Sequence, residues 1–116
     1  MRIQRGDIII AELDPTRGSE QRGTRPCLVV QNDIGNRNAP TTIVAPFSTS
    51  YDSIYPFEVL VSADESPLKE DSVVDCSQIR TVSVEHRIRD KIGSVSDEKM
   101  DEVDSSLEYS LGLTQF

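Results

Sequence analysis

The chain has 116 residues, of which 28% are charged and 36% hydrophobic, and its net charge is −8. A chain of this length forms a single domain, residues 1–116, with one modest core. It has no apolar run near the roughly 20 residues of a membrane-spanning helix and no signal peptide. Two cysteines are too few for a disulfide-stapled secreted scaffold, so the composition predicts a cytoplasmic protein with no membrane partner.

The charges are unevenly distributed along the chain. Residues 1–50 carry six arginines and five acids, whereas residues 51–116 carry six cations and fifteen acids. The acidic total argues against a protein whose whole surface binds nucleic acid. If the chain contacts a polyanion, we expect its N-terminal half to make the contact.

The first predicted strand is Asp7–Leu13, which is rich in β-branched residues, and the second is Pro26–Gln31. Between them, Asp14–Arg25 has two glycines and no apolar residue, which is typical of a mobile surface loop. Residues 32–40, which follow the second strand, are predicted to form another polar turn.

Further strands are predicted at Thr42–Phe47, Phe57–Val61, Ser72–Cys76 and Ile79–Val84. Pro46 interrupts the first of these, and because proline cannot donate to a neighbouring strand, this indicates an edge position or a bulge. Short strands separated by turn residues predict a small, strongly bent antiparallel barrel.

The hydrophobic period changes near the C-terminus, which predicts a helix. Its apolar stripe consists of residues three or four apart: Met100, Val103, Leu107 and Leu111. Ser96 is the expected N-cap, and Gly112 stands where a C-terminal cap glycine belongs. The predicted fold class is therefore mainly β with a C-terminal helix.

Few residues suit the common catalytic arrangements. His86 is the one histidine, which excludes a two-histidine ribonuclease mechanism, and no CxxC, HxxxH or DxD spacing indicates a metal site. We therefore expect no metal and no cofactor. Cys27 and Cys76 fall among valines and leucines in predicted strands and are interpreted as small buried apolar residues.

From Arg5 to Asn36 the sequence reads RGDIIIAELDPTRGSEQRGTRPCLVVQNDIGN, followed by IVAP at Ile43–Pro46 and QIRT at Gln78–Thr81. These strings resemble the MazF/PemK toxin family over nearly the whole chain. The resemblance implies a twisted SH3-like β-barrel with a C-terminal helix, paired as a homodimer and bound by a cognate antitoxin protein. It also implies metal-independent cleavage of single-stranded RNA at short motifs. The 2′-hydroxyl would attack the adjacent phosphate, leaving a 2′,3′-cyclic phosphate and a 5′-hydroxyl.

The same resemblance implies catalytic residues. The arginine of the family's RP pair is the chief catalytic residue, which here is Arg25, and a hydroxyl residue after IVAP assists it. Ungapped matching gives Ser48, where the family usually has threonine, and Thr49 remains the alternative. The residue before a proline is extended, and the arginine fork suits phosphate oxygens. A guanidinium is a poor general base, so we expect Arg25 to act as charge stabiliser and acid.

RNA contacts are predicted from side-chain chemistry. The side chains able to read splayed-out bases are those of Glu20, Gln21, Asn32 and Gln78. Phosphates could be held by Arg5, Arg17 and Arg22, although each could equally be an ordinary solvated charge. Ser77 stands where relatives often carry glutamate, so the base preference can differ here.

Two alternatives stay open. A gyrase-inhibiting toxin of the CcdB type shares the barrel, but that family's poison lies in a tryptophan-containing C-terminus, and this chain has no tryptophan. A catalytically silent RNA-binding barrel is the second alternative. The absence of Arg25 or Ser48 would have supported it, and both are present.

Overall fold

The computed structural model describes residues 1–115 of the chain. Its strands are β1 (Asp7–Glu12), β2 (Thr24–Val29), β3 (Thr41–Ser48), β4 (Glu58–Val61), β5 (Ser72–Asp75), β6 (Arg80–Ser83) and β7 (Ile88–Ser94). Its helices are α1 (Asp33–Asn38), α2 (Val84–Arg87) and α3 (Asp97–Ser110), with a 3-10 turn at Ala63–Glu65. The predicted fold class, mainly β with a C-terminal helix, is confirmed.

Strand β3 is the centre of the sheet. One of its edges pairs with β2, and its other edge pairs first with β6 and then with β5, all antiparallel. The order β4-β5-β3-β2-β1-β7 places β4 and β7 at the two ends, and these strands do not pair with each other within residues 1–115. The predicted barrel is therefore a sheet that is not closed by strand pairing.

Pro46 lies in this central strand, so the prediction of an edge position is wrong. Strand β6 pairs with residues 41–44 of β3, and β5 pairs with residues 47–48. Pro46 falls in the gap between these two partners, where β3 needs no N–H donor on that edge. Its ring is fully buried there.

The sheet buries apolar side chains on both faces, because successive strand residues point in opposite directions. One cluster packs beneath α3 through Met100 and Val103 and includes Ile8, Leu28, Ala45, Phe47, Val59 and Val74. The second cluster lies on the opposite face and includes Ile9, Ala11, Leu13, Cys27, Val29, Val44 and Val82. We call this opposite face the second face.

Helix α3 begins and ends as predicted. The Ser96 hydroxyl accepts a hydrogen bond from the Lys99 backbone N–H at 3.1 Å, and Gly112 has φ +74°, a conformation that suits a C-terminal cap. The apolar stripe ends at Leu107, which packs on the first cluster. Leu111 is 56% exposed, so its assignment to the stripe is wrong, because the helix has already ended there.

Three elements were not predicted. The expected turn at residues 32–40 contains helix α1, whose N-terminus is capped by the Asn32 side chain accepting from the Gly35 N–H at 2.8 Å. Strand β7 pairs with β1, and its charged residues Arg89, Asp90 and Lys91 are exposed at the edge of the sheet. The short helix α2 joins β6 to β7. None of the helices formed by residues 1–115 has the length and apolar character needed to cross a membrane.

Candidate active site

The polar loop between β1 and β2 is organised by its own hydrogen bonds. The Leu13 N–H donates to the Gly23 carbonyl at 2.9 Å and closes the base of the loop. The Glu20 carboxylate accepts from the Arg17 N–H at 2.6 Å, and the Arg22 guanidinium donates to the Gly18 carbonyl at 3.2 Å. The turn requires positive φ angles at Gly18 (+58°) and Gly23 (+81°), which glycine adopts without steric cost.

Gln78 fixes this loop to the segment before β6. Its Oε1 accepts from the Gln21 backbone N–H at 3.2 Å, and its Nε2 donates to the Ser19 carbonyl at 3.2 Å. A single amide side chain therefore holds both sides of the loop tip.

A pocket of about 380 Å³ opens where the loop meets the sheet. Its walls are formed by Leu13, Glu20, Gln21, Pro46, Ser77, Gln78, Ile79 and Arg80. Three of the four predicted base-reading residues are thus brought together. The fourth, Asn32, is exposed and caps α1 beyond the opposite end of β2.

Arg25 is half-buried near the start of β2, and two hydrogen bonds orient its guanidinium. Nε donates to the Arg22 carbonyl at 2.8 Å, and Nη1 donates to the Phe47 carbonyl at 3.2 Å. No carboxylate of residues 1–115 forms an ion pair with Arg25. The positive charge is therefore held in place without being neutralised by the protein.

The pairing of β2 with β3 places Ser48 on the same face as Arg25. Cys27 of β2 lies opposite Pro46 of β3. Arg25 is two residues before Cys27, and Ser48 is two residues after Pro46. Because residues two apart share a face, Arg25 and Ser48 both belong to the second face. The Ser48 hydroxyl accepts from the Ser50 N–H at 3.1 Å. Continued alternation would direct Thr49 to the opposite face.

Cys27 lies behind the guanidinium, and its thiol is fully buried. Burial raises the pKa of Cys27 to about 12, although the positive charges of Arg25 and Arg80 act to lower it. Burial likewise raises the pKa of Cys76 to about 11. Both thiols are therefore protonated at neutral pH, and their interpretation as buried apolar residues is confirmed.

The three arginines expected to hold phosphates lie in different places. Arg17 and Arg22 are exposed on the loop. Arg5 forms an ion pair with Asp104 of α3, and its Nε donates to the Val30 carbonyl at 2.9 Å. It therefore lies near the C-terminal end of β2, whereas Arg25 lies near the start of that strand.

The sequence-based prediction of the site omits one residue of the pocket, Arg80, and gives another, Ser77, only a minor place. Arg80 is not among the predicted site residues, although it belongs to the same QIRT string as Gln78, and that shared string is the signal that identifies it. Ser77 enters the prediction only as a departure from the family. Of the residues the structure describes, no three or more His, Cys, Asp or Glu side chains are grouped so that they could hold a metal ion.

Comparison with known proteins places the chain in a family. Residues 4–111 match the family model described as the PemK-like, MazF-like toxin of type II toxin–antitoxin systems. The chain is 45% identical to endoribonuclease EndoA of Bacillus subtilis (strain 168) over 117 aligned residues, which cover 100% of both chains. It is 42% identical to endoribonuclease MazF of Staphylococcus epidermidis, covering 98% of this chain and 95% of that protein.

Solved structures show the same fold. MazF from Deinococcus radiodurans superposes with a TM-score of 0.82 at 23% identity, covering 97% of this chain and 98% of that one. A mycobacterial endoribonuclease in complex with its cognate antitoxin gives a TM-score of 0.80 at 24% identity, covering 98% and 99%. The family match over residues 4–111 and the two relatives above 40% identity together decide the assignment. The chain belongs to the PemK-like, MazF-like toxins of type II toxin–antitoxin systems.

Proposed function

We propose that this toxin is an endoribonuclease that cleaves single-stranded RNA at a short sequence motif. The observation that carries the proposal is the Arg25 guanidinium, which is oriented by two carbonyls and shares a face with the Ser48 hydroxyl. Within residues 1–115 it has no carboxylate partner. A fixed, unneutralised cation beside a hydroxyl is suited to a phosphodiester in which negative charge develops. The names of the two close relatives, both endoribonucleases, agree with this chemistry.

In the proposed reaction, the RNA 2′-oxygen forms a bond to the adjacent phosphorus while the bond from phosphorus to the 5′-oxygen breaks. The 2′-hydroxyl gives its proton to solvent water, and the leaving 5′-oxygen takes one from the Arg25 guanidinium, which solvent reprotonates. The products are a 2′,3′-cyclic phosphate and a 5′-hydroxyl. Arg25 stabilises the charge on the phosphate oxygens and acts as acid toward the leaving oxygen. The Ser48 hydroxyl can both accept and donate, which suits it to orient the 2′-hydroxyl.

The pocket where the polar loop meets the sheet is proposed to read a base of the RNA. A volume of about 380 Å³ accommodates one splayed-out base, and the Glu20, Gln21 and Gln78 side chains supply polar groups in its walls. Ser77 is shorter than the glutamate often found there, which leaves this pocket wider. Asn32 and Arg5 lie away from the pocket, so contacts from them require RNA that extends to the opposite end of β2.

We further propose that the toxin works in the cytoplasm, where RNA is present, as a homodimer controlled by an antitoxin. A cavity of about 900 Å³ lies between the N-terminal segment, α1 and α2, and Ile3, Val84 and Ile88 bring apolar surface to it. Such a surface supports association with a second copy. The mycobacterial relative solved with its cognate antitoxin supports the protein partner. We expect an acidic antitoxin segment to compete with RNA for the site near Arg25.

The activity itself is tested with purified toxin, a long RNA and excess EDTA. We expect cleavage to continue, because the proposed chemistry needs no metal, and the new 5′ ends should carry hydroxyls and share one short motif. Loss of cleavage in EDTA with recovery in magnesium would reject the proposed mechanism. Binding without any cleavage would favour the silent RNA-binding barrel, and inhibition of gyrase by a toxin that leaves RNA intact would favour the CcdB-type alternative.

Arg25→Lys separates catalysis from binding. Lysine keeps the charge but loses the two-pronged geometry, so the cleavage rate should fall by about a hundred- to a thousandfold. RNA affinity should fall much less, and the melting temperature should change little, because a half-exposed arginine contributes little stability. The measurement compares all three quantities with the parent. A variant that folds, binds and cleaves at the parental rate would remove Arg25 from the mechanism.

The variants Ser48→Ala and Thr49→Ala test which of the two hydroxyls assists Arg25 in cleavage. Because Ser48 shares a face with Arg25, its loss should lower kcat by about a hundredfold, the lower end of the range for a positioned acid–base group. Thr49→Ala is the matched control, with the neighbouring hydroxyl removed, and should cleave near the parental rate. The opposite order of effects would assign the role to Thr49.

The dimer is tested by light scattering. The protomer mass is 12.9 kDa, and we expect the particle that cleaves RNA to have twice this mass. Val84→Glu introduces a charge among the apolar residues of the cavity wall and should shift the equilibrium toward the monomer, whereas Glu85→Gln in the same wall should not. A stable monomer with full activity would contradict the dimer proposal.

A further inference from the structure

Arg80, the first residue of β6, has no role in the chemistry proposed above. It is half-buried, and its Nη1 donates to the Leu13 carbonyl at 2.9 Å. The same side chain lines the pocket that also contains Gln21 and Gln78. It therefore reaches from one side of the sheet to the base of the polar loop.

The sheet register places Arg80 on the second face together with Arg25. Arg80 lies opposite Val44 on β3, and Val44 and Pro46 share a face as alternate residues. Pro46 in turn lies opposite Cys27, which shares a face with Arg25. Because β2 and β6 flank opposite edges of β3, the two guanidinium groups approach the site from opposite sides.

The charges of Arg25 and Arg80 both influence the buried Cys27 thiol of β2. Burial raises the pKa of Cys27, and the only two influences that lower it are the positive charges of Arg25 and Arg80. The charges of both arginines therefore act on the Cys27 thiol, in agreement with the shared face that the strand register gives them.

Arg80 also lacks a carboxylate partner among residues 1–115, although the chain has an excess of acids. Four cations form ion pairs with carboxylates of residues 1–115, namely Arg5, Arg89, Lys91 and Lys99. Glu20 lines the same pocket, but its carboxylate accepts from the Arg17 N–H instead. A half-buried cation that lines an open pocket and forms no ion pair within residues 1–115 is suited to bind an external anion.

We propose that Arg80 is a second phosphate-binding residue of the RNA site and holds a phosphate neighbouring the one at Arg25. This assignment rests on the proposed endoribonuclease function. Because the two guanidiniums approach from opposite sides of β3, they bind different phosphates of one strand rather than the same phosphate twice. The hydrogen bond to Leu13 keeps the Arg80 side chain extended over the pocket, so the base between the two phosphates would enter that pocket.

The test measures how RNA binding depends on salt. The probe is a 2′-O-methyl oligoribonucleotide, which keeps every phosphate but has no 2′-hydroxyl to attack. Each phosphate contact on a single strand contributes about 0.7 to the slope of log affinity against log salt. Arg80→Met should therefore reduce the magnitude of the slope by about 0.7. When salt is raised from 50 to 200 mM, the factor by which RNA affinity falls should be about 2.6 times smaller for Arg80→Met than for the parent.

Arg87→Met is the matched control. Arg87 is also half-buried and also donates to carbonyls at the base of the loop, those of Glu12 and Asp14, but it does not line the pocket. Its replacement should leave the slope unchanged. Arg80→Lys, which retains the charge, should also keep the parental slope. Arg80→Gln removes the charge while retaining a donor for Leu13, and it provides the same test if Arg80→Met does not fold.

The outcomes separate this assignment from the function on which it rests. An unchanged slope in Arg80→Met and Arg80→Gln, or an equal reduction in Arg87→Met, would show that Arg80 only holds the loop. Cleavage gives an independent readout: Arg80→Gln should mainly raise KM, whereas Arg25→Lys should mainly lower kcat. A parent protein that neither cleaves RNA nor binds the probe with any salt dependence would instead overturn the proposed endoribonuclease.

Discussion

The pairing of β3 with three other strands is the constraint on which the fold and the site depend. Strand β2 occupies one edge of β3, and β6 and β5 divide the other edge between them. The gap between β6 and β5 accommodates Pro46, which has no N–H to donate there. The same strand ends at Ser48, and the Phe47 carbonyl orients Arg25. A shift of β3 by one residue would therefore exchange the two buried clusters and also separate Ser48 from Arg25.

The distribution of charge explains how an acidic protein can act on a polyanion. Most acids lie in the second half of the chain, and helix α3 alone carries Asp97, Glu98, Asp101, Glu102, Asp104 and Glu108. Arg25 and Arg80 lie on the second face, opposite this helix, and neither has an acidic partner among residues 1–115. RNA would thus meet a local positive site on a molecule whose remaining surface repels it, which limits nonspecific binding.

The sequence predicts the elements whose pattern is strong and local. Six of the seven strands and the caps of α3 are recovered, because β-branched runs, Ser96 and Gly112 give clear signals. The sequence pattern does not predict strand β7, because an edge strand exposed to solvent does not require apolar alternation. Its central residues are the charged Arg89, Asp90 and Lys91. Helix α1 is short and polar and depends on its Asn32 cap, so its sequence pattern is the same as that of a polar turn. Leu111 fits the helical period, but the period alone does not locate the end of the helix.

In the candidate site, too, local patterns identify some residues, whereas long-range contacts determine the positions of others. Arg25, Ser48 and the loop residues are selected by a long ordered string, whereas the position of Arg5 depends on its ion pair with Asp104, which is 99 residues away and invisible to any local pattern. Arg80 needs the register of β6 on β3 before its face is known. Long-range strand register is thus the information that a single sequence does not supply.

The most direct measurement of the central claim, that the site directs the RNA's own 2′-hydroxyl against the phosphate held by Arg25, uses one modified oligonucleotide. It carries the mapped cleavage motif with a single 2′-deoxy nucleotide immediately 5′ to the cleaved phosphate. We predict that the toxin binds it about as tightly as the unmodified RNA and leaves it intact at that bond. Cleavage of the deoxy substrate at the same phosphate would contradict the account, because no internal nucleophile would remain.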